Sequence, residues 1–538
     1  MGDGQWALTP AERKRILLNS IFGVDIDPQA VEVTKLSLLL RVLEGENQAS
    51  LSQQLAMFRE RALPDLAKNI KCGNALVESD INRVIALSSA EEHSISAFDW
   101  ESEFPEITRA GGFDVVIGNP PYDVVEKERR KASWPHDLLA DYVREKTEYS
   151  DALGGKLNLF RFFVTRSLQL ARRHGRVGMI VPLALLADIT SANTRRHLLK
   201  QSSHLTADCF PQKDNPRRRL FRKAKLATVV FTCQKEDRKP GGEPSVQVRV
   251  HPWDSFAETT KECLVRLADI AKVEPTTLPI PLTDEKNWQL CVRMHQHPAV
   301  SPLGAVPEFH ATRGEVNQTT YRAYIGSDSS KARLVKGVEI GQFFLHSALS
   351  QGTREWFDAS RFNASHGTWP VVNQRRIATQ RITGVNERLR LVAMVIDPPA
   401  FFADSTNSIN LTGKGEPYRL EYLLGLLNST LYQWRFKITS TNNNVQTHQL
   451  ESLPFRKISF ANRSERAMHD DLVAHVDRAM KQLTALALAR TGADKTSIKR
   501  GISTTSVEID RAVYDLYGLS TAEIALVEEI VVEPAIAV

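Results

Sequence analysis

The sequence predicts an α/β domain with a mostly parallel sheet, followed by an α+β region and a helical C-terminal end. Three observations carry this. Short runs dominated by apolar residues, at 21–25, 70–76, 113–117 and 176–181, alternate with segments of helical period, the pattern of parallel strands buried on both faces. Residues 303–460 mix short strand-like runs with many Asn, Ser and Thr. From Arg463 to Arg490 apolar residues recur at helical spacing.

Taken in order, Thr9, Pro10 and Glu12 form a T-x-x-E start with proline at the first helical position, predicting a helix from Pro10 to about Leu18. IFGVDID then reads as a short buried strand ending at Asp25, and a helix follows from Pro28 through Leu40. Further strands are expected at Ile70–Leu76, Phe113–Ile117 and Arg176–Val181, the last after a helix over Leu159–Arg173. Leu226–Gln234 closes the sheet, and the first domain ends near 245. Residues 246–302, rich in Pro, Gly and Thr with local helix around Lys261–Ile270, read as a linker. The region 303–460 contains a strand at Leu391–Ile396 and one strong helix, EYLLGLLNSTLYQWRF. The segment 461–538 is helical, with Met468, Leu472, Val473, Val476, Met480 and Leu483 on one face.

At 538 residues the chain is too long for one hydrophobic core. With 42% hydrophobic and 25% charged residues it is ordinary globular protein, which excludes disordered and fibrous classes. A net charge of +6 is mild for this length, so the placement of Lys and Arg carries any argument about nucleic acid. The cysteines at 72, 209, 233, 263 and 291 have no C-x-x-C spacing, which argues against a disulfide framework and a zinc site and fits a reducing cytosol. No metal is expected. The longest apolar stretch, Val177–Ala187, is too short to span a bilayer, so a cytoplasmic protein without a membrane partner is expected.

GGFDVVIGNPPYDVV ends an apolar strand at two prolines with Asn119 before them and Tyr122 behind. Ligands of open α/β sheets collect at the carboxyl ends of strands. Pro120 and Pro121 lack N–H donors, which leaves a rigid ledge of backbone acceptors. Two acceptors and a stacking ring suit an exocyclic amine on an aromatic heterocycle. The Asn119 side-chain oxygen and the Pro120 carbonyl would hold the amine, and Tyr122 would stack on the base.

This turn resembles the catalytic signature of N6-adenine DNA methyltransferases of restriction-modification systems that carry a target-recognition region after the catalytic domain. GVDIDPQAVEVTKLSL, KCGNAL and FDWESEFPE resemble that group in order. NLFRFFVTRSLQLARRHGRVGMIVP, RGEVNQ, LVKGVEI, LLGLLNSTLYQWRF and HQLESLPF extend the resemblance through the C-terminal half. The resemblance implies methyl transfer from S-adenosylmethionine to a flipped adenine in double-stranded DNA. Asp25 would take the cofactor ribose, Ile26 its adenine face and Asn74 its adenine edge, while Asn119 to Tyr122 take the target base.

One departure matters: the family's glycine-rich loop on the first strand is absent from this sequence. In the order 3-2-1-4-5 that strand lies between the strands of IFGVD and FDVVI, so an incomplete Rossmann-like methyltransferase sheet is expected. Unpaired buried backbone groups cost about 1–3 kcal/mol each. The chain therefore reads as the C-terminal part of a longer or split enzyme, with an N-terminal methyltransferase fragment or restriction or defence subunits as partners. Basic residues Lys127, Arg129 and Arg130 after the turn, and Arg217 and Arg218 in PRRRLFRKAK, are candidate phosphate contacts. Arg375 and Arg376 carry side chains able to read guanine edges. Two other classes stay open: a non-catalytic DNA-specificity component, favoured by the missing loop, and a protein glutamine methyltransferase, whose side-chain amide the same turn would serve.

Overall fold

The computed structural model describes residues 8–44, 64–85, 95–125, 136–212, 215–236, 243–383, 388–440 and 444–531. It is a mixed α/β protein with several sheets. The chain divides into two units, one formed by 1–180, 200–202 and 233–238, the other by 181–199, 203–232 and 239–538.

The first unit opens with helix α1 (Pro10–Ser20), where the Thr9 hydroxyl accepts from the Glu12 N–H at 3.3 Å. Glu12 turns its carboxylate to Arg15 instead of closing a capping box. Strand β1 (Gly23–Asp25) leads into helix α2 (Pro28–Leu43), capped by Asp27, which accepts from the Gln29 N–H at 2.9 Å. β1 pairs in parallel with β2 (Ile70–Cys72), Gly23 opposite Ile70 and Asp25 opposite Cys72. Strand β3 (Phe113–Gly118) then leads to a short antiparallel pair, β4 (Val124–Val125) with β5 (Leu157–Asn158). Helix α3 (Leu159–Leu170) and strand β6 (Ala171–Pro182) follow, and β6 runs parallel to β3.

Helix α3 is shorter and β6 longer than the apolar pattern predicts, because ARRHG is extended and Arg172 pairs with Asp114 at 2.6 Å. Gly112 permits this close approach: its φ is +121°, and a Cβ there would lie 2.5 Å from the Leu170 carbonyl oxygen.

Phe22, Phe98, Trp100, Phe104 and Phe113 form one aromatic cluster, with Phe22 5.5 Å from Phe104 and 6.1 Å from Phe113 between ring centroids. The starts of β1 and β3 are thus rooted in the same core. Among the described residues β1 pairs only with β2, and β3 only with β6. Each keeps an open edge.

In the second unit, residues 246–302 fold into regular elements, which corrects the expected linker. Ser245–Val250 pairs in parallel with Ser202–Phe210 and antiparallel with Lys261–Arg266. The helix expected over Lys261–Ile270 begins only at Leu267, because KECLVR alternates in burial and takes the sheet period. Two four-stranded sheets occupy much of 303–411, one of them ordering Phe309–Arg313, Thr406–Leu411, Arg376–Gln380 and Ala393–Ile396 in antiparallel fashion. The single helix expected over 421–436 is two, Leu420–Asn428 and Thr430–Thr439. Ser429 separates them: its hydroxyl donates to the Leu426 carbonyl at 2.7 Å and accepts from the Tyr432 N–H at 3.3 Å, closing one helix and starting the next. The C-terminal helices Arg463–Leu488 and Gly492–Leu516 pack together, with Leu472, Val473, Val476 and Leu483 buried and Met468 and Met480 half-buried.

Asp510 sits at the start of helix Thr430–Thr439, accepting from the Thr430 N–H and hydroxyl, both at 2.7 Å. Loss of solvent outweighs these bonds and pushes its carboxyl up to about 6 from the ordinary 3.8. The folded state therefore holds a proton that the unfolded chain releases. That contribution is fully present below pH ~4 and is lost as pH rises through about 6, on the order of 2–3 kcal/mol. Asp510→Asn is expected to be more stable than the parent by that order at pH 7.5 and indistinguishable near pH 4, read by urea denaturation across pH.

Candidate active site

β3 ends at Gly118, and the next four residues are Asn119, Pro120, Pro121 and Tyr122. Pro120 is buried, Asn119 and Pro121 are exposed and Tyr122 is half-buried. The turn is anchored from behind. Asn158 caps α3 and donates its Nδ2 to the Tyr122 carbonyl at 3.2 Å, and the Leu159 N–H donates to the Asp123 carbonyl at 3.0 Å. The Tyr122 hydroxyl lies 3.2 Å from Asn119 Oδ1 and 3.1 Å from the Ile180 carbonyl oxygen, sharing its proton between them. Burial pushes this phenol up to about 12, so it stays neutral at physiological pH. A carboxamide oxygen has two lone pairs, so Asn119 Oδ1 can keep Tyr122 and still accept from an incoming amine.

The parallel register of β1 and β2 brings Asp25, Ile26 and Asn74 to one end of that strand pair. The Asp25 carboxylate is exposed and accepts from the Asp27 N–H at 2.8 Å, while its carbonyl accepts from the Gly73 N–H at 2.9 Å. Ile26 presents a partly exposed side chain. Asn74 is 4% exposed; its Oδ1 accepts from the Leu76 N–H at 3.1 Å, and its Nδ2 has no partner among the described residues. A buried donor without an acceptor costs about 1–3 kcal/mol. Such a donor fits a ring nitrogen of a bound heterocycle, beside an exposed acid suited to hydroxyls. These residues match the requirements of a nucleoside-containing cofactor.

The candidate DNA contacts fare differently. Lys127, Arg129 and Arg130 lie outside the described residues. Arg217 is exposed, and the Arg218 guanidinium stacks 4.2 Å over the ring of the partly exposed Trp253. Arg375 is held by Asp397 at 2.9 Å and Glu421 at 2.5 Å. Arg376 is 1% exposed, paired with Glu315 at 2.7 and 3.0 Å, donating to the Ala400 carbonyl and stacked 3.8 Å over Phe402. The base-reading role expected for Arg376 is corrected: the residue braces the core. Adjacent residues in extended backbone point to opposite faces, and charge alone does not say that Arg376, at the start of its strand, is the buried one.

Sequence reasoning missed Asn158, legible as a helix cap before LFRFF, and Trp253, an aromatic in a polar loop with no periodic signal.

In the first unit, then, one strand stops at Asn-Pro-Pro-Tyr and another leads through an acidic turn into a capped helix. Residues 19–211 match the family model described as Eco57I restriction-modification methylase. It is 26% identical over 194 residues to the type II restriction enzyme and methyltransferase RM.Eco57I of Escherichia coli, covering 36% of this chain and 17% of that protein. Adenine-specific methyltransferase PglX of Streptomyces coelicolor is 25% identical over 193 residues, covering 33% of this chain and 14% of its own length. Among solved structures, the type IIL restriction-modification enzyme MmeI in complex with DNA shares the fold with a TM-score of 0.53 at 12% identity, over 96% of this chain and 66% of that one. The chain thus spans less than a fifth of the length of these curated relatives. No helix among the described residues is long and apolar enough to cross a membrane.

Proposed function

We propose that this chain takes part in methylating the N6 amine of an extruded adenine in DNA, as part of a restriction-modification or defence system. The observation that carries this reading is the Asn119-Pro120-Pro121-Tyr122 turn at the carboxyl end of β3, with an exposed carboxamide beside a proline that has no N–H to occupy nearby acceptors. An adenine amine is a poor nucleophile while its lone pair is delocalised into the ring. Asn119 Oδ1 and the Pro120 carbonyl would accept its two hydrogens and favour a more tetrahedral nitrogen. Tyr122 would hold the ring face, and backbone contacts would offset the few kcal/mol that extrusion costs. The proton leaves after transfer, so no strong base is required.

S-adenosylmethionine would supply the electrophilic methyl group. Asp25 would hold its ribose hydroxyls, Ile26 would cover its adenine, and Asn74 Nδ2 would donate to the adenine edge. Asn74→Asp keeps an acceptor for the Leu76 N–H and removes the donor, and is expected to weaken cofactor binding about tenfold or more. Calorimetry on the methyl-transferring form of the protein reads this, with a melting curve as the folding control.

Arg217 and Arg218, with Trp253, would contact the DNA backbone. Arg217→Ala combined with Arg218→Ala is expected to weaken binding evenly across sequences and lower the slope of log affinity against log salt by about 2. A salt slope unchanged by the double replacement would remove this patch from the DNA interface.

Labelled methyl transfer to an adenine-containing duplex, to a duplex without adenine and to a glutamine peptide tests the whole reading. Transfer to the first alone supports it. A non-catalytic specificity component is favoured by the open edges of β1 and β3, and DNA binding without transfer under every condition would establish that alternative.

A further inference from the structure

Ser202–Phe210 and Ser245–Val250 are adjacent parallel strands with Cys209 opposite Val250, so residues 251–258 leave the sheet at the carboxyl ends of both. Open α/β sheets collect ligands at that end. The loop there, HPWDSFAE, shows two rings to solvent: Trp253 is 43% exposed and Phe256 59%. Single exposed apolar residues are ordinary on a protein surface. These two are held in place. His251 is buried, with one ring nitrogen 2.9 Å from the Asp208 carboxylate and the other 2.8 Å from the Glu258 carbonyl oxygen, and its ring stacks 5.0 Å from Phe210. Phe256 stands edge-on to Phe210 with centroids 5.3 Å apart. Trp253 Nε1 donates to the Glu258 carboxylate at 3.2 Å, which occupies the indole's donor and leaves its face as what it offers a ligand.

Positive charge lies beside the rings. The segment 216–225, PRRRLFRKAK, holds six Lys and Arg and no acid. Arg218 stacks 4.2 Å over the Trp253 ring and Arg222 lies 3.8 Å from Asp254, so the segment is tied to the loop at two points.

We propose that Trp253 and Phe256 form a stacking platform for an unpaired nucleobase of DNA, with the basic segment 216–225 taking the adjoining phosphates. Phosphates alone call for cations, not rings. Rings beside cations match the two parts of an open strand, base faces and backbone. In a continuous duplex the faces are covered by neighbouring pairs and only base edges reach the grooves. A face is free where pairing is broken, as at a bulge, in a single strand or in the partner of an extruded nucleotide. The role rests on the proposed reading that the chain acts on DNA with an extruded base.

The test measures binding of the 538-residue chain at low salt to three DNA probes of one sequence: a continuous duplex, the same duplex with one unpaired base, and the single strand. The duplex with the unpaired base is expected to bind about tenfold or more tighter than the continuous one. Trp253→Ala should remove most of that preference, Trp253→Phe should keep most of it, and Phe256→Ala should reduce it, with melting curves as the folding control. With 5-iodouracil as the unpaired base, irradiation should crosslink it to Trp253 or Phe256. If the single strand binds as tightly as the interrupted duplex and Trp253→Ala weakens both, the platform stands and accepts any open strand. Equal binding of the two duplexes, or a preference indifferent to Trp253→Ala and Phe256→Ala, would overturn the platform and leave the DNA reading standing. Binding to none of the three probes would overturn the DNA reading and the platform with it.

Discussion

Asn119→Ala is expected to lower methyl transfer to an adenine duplex by about a hundred- to a thousandfold, the scale seen when one preorganised polar contact to a reacting group is deleted. The loss should fall on the chemical step. Asn119 is exposed at the end of β3, so its removal leaves the strand pairing with β6 and the α3 anchor intact. Cofactor affinity and the melting curve should therefore be unchanged, while single-turnover rates collapse. Tyr122→Phe provides the contrast. It keeps the ring and removes the hydroxyl that bridges Asn119 Oδ1 and the Ile180 carbonyl, so a loss of only about tenfold is expected, the scale of one hydrogen bond. Tyr122→Ala removes the ring as well and should weaken retention of the extruded base by a further 1–3 kcal/mol or so. Unchanged single-turnover rates in Asn119→Ala would sink the assignment, whatever Tyr122 does.

Arg376→Met is expected to destabilise the second unit by about 3–5 kcal/mol, because it strands a largely buried carboxylate. Glu315 accepts from both terminal nitrogens of Arg376 and also from the Phe402 N–H at 2.9 Å, so one pair ties strand Arg376–Gln380 to strand Ala400–Phe402. The Arg376 guanidinium further serves the Ser408 hydroxyl at 3.1 Å. Removing both charges together, as Arg376→Met with Glu315→Leu, should recover much of the loss, since the penalty belongs to the unpaired ion. Amide exchange of Ile377–Thr379 and the urea midpoint read the effect. A DNA contact at Arg376 would instead give normal stability and altered target preference, and that outcome would return the residue to the interface.

Much of the candidate site was legible along the chain because its chemistry is local. A strand end, two prolines, a carboxamide and a ring within ten residues define the turn at Asn119 without tertiary information. For Asp25 and Ile26 the residues themselves give only an acidic turn between a strand and a capped helix, and their proposed cofactor roles come from the resemblance of GVDIDPQAVEVTKLSL. Asn74 was legible as a residue type only; its orphaned donor depends on what surrounds it. The helix over 421–436 misled because its composition is uniformly helix-forming, while a single serine hydroxyl with two backbone partners decides the break. The linker at 246–302 misled for the opposite reason: flanking Pro and Gly obscured the period-2 burial of SVQVRV.

What the sequence by itself determined is the rigid turn at Asn119–Tyr122 and the strand-turn-helix unit at Asp25, since short-range spacing and backbone restriction need no distant partner. Only the tertiary structure decided which arginines face solvent and where Asn74 points its amide. Those properties depend on residues far apart in the chain, and burial and pairing arise only when such residues meet.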